Sequence, residues 1–499
     1  MVKPITFVYY STTIIYLSYT SKFFKMSDQS TNRVSVFDTK SLKEIIKEVQ
    51  DLYLKYPQPW VIGYSGGKDS TTVLQLVWLA IEKLPKNKRT KPIYVIASDT
   101  QVETPVIVDH LDSTLNRINK SAKEKGLPFE AKKVTPTLND SFWVNLIGRG
   151  YPAPTTRFRW CTDRMKIKPA NKFIEEKVTE HGEVIMLLGV REQESATRQQ
   201  LMRTYQVKEH VLRRHTSLPG AYVYAPISDW SVDDVWTFLF QVESPWGNNN
   251  RDLAAMYRDA NAGECPLVID DSTPSCGNSR FGCWVCTVAE KDTSMQAMID
   301  NGEDWMEPLL EIRNFLKETT DPEKKREYRG IKGRDGRVFF KNDSELAART
   351  YTLETSQKIL EDVLEAQKRI NEQVEGDEKT LISKEELHEI RRLWRTERGD
   401  WDDTVPKLFY NVFQFDLNWA KDDDGFFDSK QKALLENLCN EYDVPFEFMS
   451  KLLEAERQSL GMARRSRIHK KIQSVLGEEW REEHEILEEK ANTDTKAAQ

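Results

Sequence analysis

The stretch Tyr64-Ser65-Gly66-Gly67-Lys68-Asp69-Ser70 limits what this chain can fold into more than any other. It follows a short apolar run, Trp60-Val61-Ile62-Gly63, and precedes an apolar run with helical spacing from Thr71 to Leu79. That order reads as strand, glycine turn, helix. Gly66 and Gly67 allow positive φ and close backbone approach. Ser65, Asp69 and Ser70 fall where the helix starts, beside N–H groups that lack intrahelical acceptors and the positive end of the helix dipole. Such a turn suits an anion, a pyrophosphate in particular. A Walker A loop is excluded, because its Gly-x-x-x-x-Gly-Lys-Ser/Thr spacing is absent. The plain alternative is a capped helix behind a glycine turn.

The pattern repeats downstream. Ser41 to Tyr56 has helical spacing, and Lys91 to Thr100 is a buried strand that ends in a polar pair. A helix is expected from Pro105 to Lys125, then strands near Phe129–Val134, Val184–Gly189 and Tyr222–Pro226. Strands alternating with helices predict an α/β fold, a mostly parallel sheet with helices on both faces. Ligands of such sheets bind beyond the carboxyl ends of the strands. Ser65, Asp99 and Arg191 each fall just past a strand end, so they can converge on one pocket.

Four stretches follow from changes in this pattern. Residues 1–25 read as an extension upstream of a second start at Met26, with a signal or anchor segment as the rival. The α/β domain occupies 26–245, a cysteine-rich and basic segment 246–345, and a helical, charged region 346–499. The formal charge of −7 gives no overall pull toward nucleic acid, so any such contact must be local. No stretch is a confident membrane span.

Four of the six cysteines, Cys265, Cys276, Cys283 and Cys286, have the spacing C-x10-C-x6-C-x2-C. Close spacing beside a nucleotide motif argues for a metal or redox site in a reducing, cytoplasmic compartment rather than for disulfides. Zinc and an iron–sulfur cluster both accept four thiolates. Pro266, Phe281, Trp284 and Val285 supply an apolar shell that helps keep a cluster dry. Cys161 stands apart among Arg157, Arg159, Arg164 and Lys166, whose positive field favours a reactive thiolate. It is otherwise a packed cysteine or a further ligand for the cluster. Cys439 reads as core. Arg191 and Arg198, two helical turns apart, suit phosphate oxygens, or else belong to a solvated helix start with i,i+4 charge pairs. Ser231 reads as a helix cap and Asp335-Gly336 as a hairpin turn. Two basic stretches, Lys324 to Lys341 and Arg464 to Lys471, are either solvated faces or contacts for a phosphodiester backbone.

The Ser65-to-Ser70 pattern resembles the PP-loop of ATP pyrophosphatases. Together with the Cys161-to-Pro169 segment, Gly189-Val190-Arg191, and Pro226 with Asp229-Trp230, it resembles the PAPS reductase family in content and order. Within that family, the length, the cysteine cluster, the helical last third and the Arg349-to-Glu354 segment are similar to DNA phosphorothioation sulfurtransferases. The resemblance covers about residues 40–480. It implies ATP with Mg2+, split to AMP and pyrophosphate, with Ser65, Gly66, Gly67, Lys68, Asp69, Ser70, Asp99 and Gly189 holding the nucleotide. It implies a 4Fe–4S cluster, with zinc as the alternative, on the four clustered cysteines. Cys161 would carry sulfur, while Asp69, Arg191 and Arg198 would serve the reaction. Implied partners are DNA, a cysteine desulfurase, an ATPase subunit and a small DNA-binding subunit. Rival readings are a reductase of activated sulfate, a tRNA thiolase and a non-catalytic ATP-binding iron–sulfur subunit. The first expects a C-terminal Glu-Cys-Gly-Leu-His-like tail, which this chain lacks.

Overall fold

The computed structural model describes residues 35–192, 211–260, 282–342, 345–374, 376, 378–419, 427–459 and 466–497. Residues 1–25, Arg198, Cys265, Cys276, Arg464 and Arg465 lie outside the described residues.

A six-stranded sheet organises the first half. Its strands are β1 (Trp60–Gly63), β2 (Ile93–Ser98), β3 (Phe129–Val134), β4 (Val184–Leu187), β5 (Arg213–Arg214) and β6 (Ala221–Tyr224). Their order across the sheet is β3-β2-β1-β4-β6-β5, parallel except where β5 runs against β6. The chain moves outward from β1 to β3, then returns to the other side of β1 with β4. The switch point therefore lies between β1 and β4, where ligands of open sheets bind.

Side chains on the central strands alternate between two apolar layers, as strand geometry demands. Trp60, Ile62, Ile93 and Val95 face one layer, and Val61, Tyr94 and Ile96 face the other. The first layer is built with helices α1 (Leu42–Lys55), α2 (Lys68–Glu82), α3 (Pro105–Lys125) and, later in the chain, α5 (Val232–Gln241). The second is covered by α4 (Lys168–His181) through Phe173 and Ile174. The helix starts are encoded locally. Ser41 and Glu44 form a capping box on α1, and Ser231 with Asp234 does the same on α5. Pro105 opens α3, and Gly126, at φ +59°, ends it in the left-handed conformation.

The second core joins distant segments. Trp143, Trp160 and Trp284 pack with α6 (Glu307–Glu318), α7 (Leu353–Gln373), α8 (Lys384–Glu397) and α9 (Thr404–Phe413). Trp143 Nε1–H donates to the Leu381 carbonyl at 2.7 Å, and Trp394 Nε1–H to that of Ile147 at 3.0 Å. A Cβ on Gly148 would meet Leu393 Cδ1 at 2.8 Å, so α8 passes close to the backbone there. Beyond it lie α10 (Ser429–Tyr442), α11 (Phe446–Arg457) and α12 (Ser466–Leu476), and Cys439 on α10 is buried as expected. Asp335-Gly336 does form a tight turn, with the Gly333 N–H donating to the Arg337 carbonyl at 2.8 Å. The two-stranded ladder, however, lies further on, between β7 (Phe340–Asn342) and β8 (Glu345–Leu346). No described helix is long and apolar enough to cross a membrane.

Candidate functional site

The glycine turn sits between the end of β1 and the start of α2. Gly66 has φ +74° and open space where a Cβ would be, so the backbone can approach a ligand there. The turn is closed by serines. The Ser65 N–H donates to Ser70 Oγ at 3.2 Å, and Ser70 Oγ–H donates to the Gly67 carbonyl at 2.9 Å. Gly67 is the N-cap of α2 and brings no side chain to it, which leaves the first-turn N–H groups to a ligand.

The exit of β4 presses on this helix start. A Cβ on Gly189 would lie 2.7 Å from Asp69 C and 2.8 Å from the Ser70 nitrogen. Two residues on, Arg191 is 2% exposed, and its Nε donates to Asp69 Oδ1 at 2.6 Å. Lys68 Nζ lies 3.0 Å from Asp69 Oδ2. Two buried cations thus hold one carboxylate at the helix start, where the helix dipole is positive. The arrangement suits an anion arriving at the turn.

β2 ends on the same rim. Asp99 pairs with Lys133 at 3.1 Å and accepts the Gln101 N–H at 2.8 Å. Asp69 and Asp99 are both ion-paired.

The loop after Asp99 reaches the cysteine segment. Glu103 and Cys283 form an antiparallel bridge, and the Trp284 N–H donates to the Val102 carbonyl at 3.0 Å. Cys283 Sγ lies 3.2 Å from Thr100 Oγ1 and 3.7 Å from Glu103 Oε1. Burial, then the neighbouring Glu103, pushes the Cys283 thiol well above its ordinary range. Burial likewise raises the Glu103 carboxyl, against the pull of Lys166, whose Nζ is 3.8 Å away. Cys161 is near enough to act on Cys283 electrostatically, and both pack on the second core. Cys286 closes a tight turn with Cys283, its N–H donating to the Cys283 carbonyl at 3.1 Å. Arg313, 1% exposed, braces that turn through the carbonyls of Cys286 and Glu290.

These thiols are soft donors of the kind iron–sulfur centres and zinc take. Among the described residues, no group of three or more His, Cys, Asp or Glu is arranged to hold a metal ion. The basic residues flanking Cys161 are partly engaged elsewhere: Arg164 pairs with Asp140 at 2.7 Å and Lys166 faces Glu103. Sequence reasoning passed over Thr100, Glu103 and Arg313. The only signal for the first two was the polar run that follows a buried strand.

Much of the first basic stretch is engaged within the chain. Arg329 is buried and donates to the Thr319 carbonyl at 2.7 Å, and Arg334 donates to the Tyr151 hydroxyl at 3.0 Å. Lys332 pairs with Glu447 at 3.3 Å and lies 4.2 Å from the centre of a Trp480 ring. Arg337 keeps its side chain 73% exposed.

Residues 59–289 match the family model of the phosphoadenosine phosphosulfate reductase domain. Residues 430–477 match that of a small protein found in certain Dnd DNA modification systems. An uncharacterized protein of Methanocaldococcus jannaschii is 26% identical over 242 residues, spanning 48% of this chain and 39% of that protein. Two solved structures are similar at low identity. One is a phosphoadenylyl-sulfate reductase from Candida auris in a phosphate complex, 16% identical, covering 44% of this chain and 87% of that one, with a TM-score of 0.27. The other is the U34-tRNA thiolase NcsA from Methanococcus maripaludis with its 4Fe–4S cluster, 15% identical, covering 57% and 82%, with a TM-score of 0.27.

Proposed function

We propose that this chain, whose residues 59–289 match a phosphoadenosine phosphosulfate reductase domain, is an ATP-splitting sulfurtransferase of the DndC type acting on the DNA backbone. The observation that carries the sulfur-transfer reading is the joining of two sites on one rim of the sheet. The loop leaving Asp99 is hydrogen-bonded to the turn that bears Cys283, and β2, which it leaves, pairs with the strand that leads into the glycine turn. DNA as acceptor is supported by the match of residues 430–477 to a small protein of Dnd DNA modification systems.

In this reading the first-turn N–H groups of α2, with Ser65 and Ser70, receive the pyrophosphate end of ATP. A non-bridging oxygen of a DNA phosphodiester attacks the α-phosphorus, and pyrophosphate leaves. The adenylated phosphate then loses AMP to incoming sulfur at the sulfide level, so oxygen is exchanged for sulfur without net oxidation. Sulfur from a cysteine desulfurase arrives more oxidised, and external thiols supply the two electrons. Arg191 and Lys68 keep Asp69 in place at the helix start that faces the departing pyrophosphate. Cys265, Cys276, Cys283 and Cys286 are the thiols that would hold an iron–sulfur centre or zinc, with Cys161 as the sulfur carrier. Such a centre supplies a soft site for sulfide or electrons.

The test is release of pyrophosphate and AMP from α-labelled ATP, with the chain, its partner subunits, DNA and sulfide present. Release that depends on DNA and is lost in Ser65→Ala supports the reading. Absence of release under all combinations favours a non-catalytic ATP-binding subunit.

A further inference from the structure

We propose that the basic cleft at the carboxyl end of β3, with Tyr151 and Arg334 beside it, is where the backbone of the acceptor DNA lies. The inference rests on the reading above, that the acceptor is DNA.

The cleft has a volume of about 330 Å³, at the small end of ligand sites, so it takes one unit of a backbone rather than a whole duplex. One wall is the segment that leaves β3, with Thr135 and Thr137. The other is one face of a helical run. That run begins at Trp160, passes through a π-helical turn at Asp163–Ile167 and continues as α4. Arg164, Lys168 and Lys172 recur along it every four residues, and all three line the cleft. Cys161 lies about one helical turn before Arg164 on the same run. β3 stands two places from β1 in the sheet. At about 4.8 Å per strand, their ends are roughly 10 Å apart, about the rise of three nucleotides of one DNA strand. A strand held in the cleft can therefore reach the glycine turn within a few nucleotides.

The carboxylates at hand leave part of this charge unanswered. Asp140 is shared by Arg164 at 2.7 Å and Lys168 at 3.3 Å, and Asp163 lies 3.6 Å from Lys168. Glu176 also lines the cleft, yet Lys172 is exposed and in no ion pair among the described residues. Arg164 reaches beyond the cleft as well. Its Nη2 donates to the Tyr151 hydroxyl at 3.2 Å, where Arg334 Nη1 donates at 3.0 Å. Two guanidinium groups on one neutral oxygen repel each other, and a phosphate, with several acceptor oxygens, relieves that repulsion. Arg334 is exposed and likewise in no ion pair among the described residues. The two segments that carry these cations lie far apart in sequence, and Tyr151 brings them to one surface. Charges spaced along such a surface suit a repeating phosphodiester better than a single small anion.

The test uses the full chain and a labelled DNA duplex without ATP, with binding read by fluorescence anisotropy over a salt series. Each backbone phosphate that a side chain neutralises adds about one to the salt slope. The double variant Lys168→Gln/Lys172→Gln should flatten that slope by about two and weaken binding about five-fold or more at about 0.1 M salt. Arg334→Gln should flatten it by about one, and Arg334→Lys, which keeps the charge, should restore it. Lys88→Gln, which removes an exposed charge ahead of the amino end of β2, should bind as the wild type does. Bound DNA should also slow acetylation of Lys168 and Lys172 by a succinimidyl ester, read by mass spectrometry, and leave Lys88 unchanged. The inference is overturned if the cleft variants keep the wild-type slope and affinity, if Lys88→Gln costs as much, or if RNA of the same sequence binds more tightly than DNA. Should that happen while pyrophosphate release still depends on DNA, the functional reading stands without this surface. A wild type that binds no DNA, alone or with its partner subunits, removes both.

Discussion

Replacing Gly189 by alanine would set a Cβ 2.7 Å from Asp69 C, where backbone rather than a flexible side chain stands in the way. The helix start must then retreat, at a cost of about 1–3 kcal/mol, and pyrophosphate release should fall with it. Urea unfolding and a release assay on the same preparation check both outcomes. Arg191→Met poses a different problem, because it takes the guanidinium away from the buried Asp69 carboxylate. Breaking such a pair from one side costs roughly 3–5 kcal/mol. Adding Asp69→Asn to Arg191→Met should recover part of that loss in urea unfolding, since the charge left behind is then removed. The sequence placed Ser65, Asp99 and Arg191 on one rim because each follows an apolar strand. It could not place Thr100 against Cys283, which lies 183 positions away. Nor could it show that Arg191 meets Asp69, a contact that depends on β4 returning beside β1.

Among the elements, the join between α1 and β2 carries a titratable group. The Tyr53 hydroxyl donates to the Lys91 carbonyl at 2.9 Å, and the Lys91 ammonium lies 4.1 Å from the Tyr53 ring centre. Burial pulls the Lys91 ammonium down to about 8, from an ordinary 10.5. Between those values the unfolded chain binds more protons than the folded one, so this group makes stability rise with pH. Relative to Lys91→Met, the wild type should gain about 1 kcal/mol between about pH 7.5 and about pH 9.5, once solvent screening is allowed for. Urea midpoints at the two pH values measure it, and an equal slope in both proteins contradicts the assignment. Elements were the most legible level of this fold. Capping residues such as Ser41 and Ser231 and the Pro105/Gly126 pair around α3 carry their own stop and start signals. The ladder from Phe340 to Leu346 was less so, because the Asp335-Gly336 turn offered a nearer hairpin than the one that forms.

For the whole molecule, the second core matters most. Trp143 and Trp160, which precede β4 in the chain, pack with Trp284 and with helices beyond residue 353. Periodicity marks the apolar face of each helix but not which distant segment it meets. A chain ended at residue 345 should therefore expose this core and lose its near-ultraviolet circular dichroism, while the sheet layers keep far-ultraviolet signal. Retention of a cooperative near-ultraviolet transition would show that the first half stands alone. The central claim, that an anion-binding turn and a thiol turn on one rim together put sulfur into DNA, is tested most directly in the product. DNA from cells carrying the full set of partner genes is digested with nuclease and read by mass spectrometry for sulfur-containing dinucleotides. Such dinucleotides should be present with the wild-type chain and absent with Ser65→Ala and with Cys286→Ser. Their persistence in both variants, or their absence with the wild type, contradicts the claim.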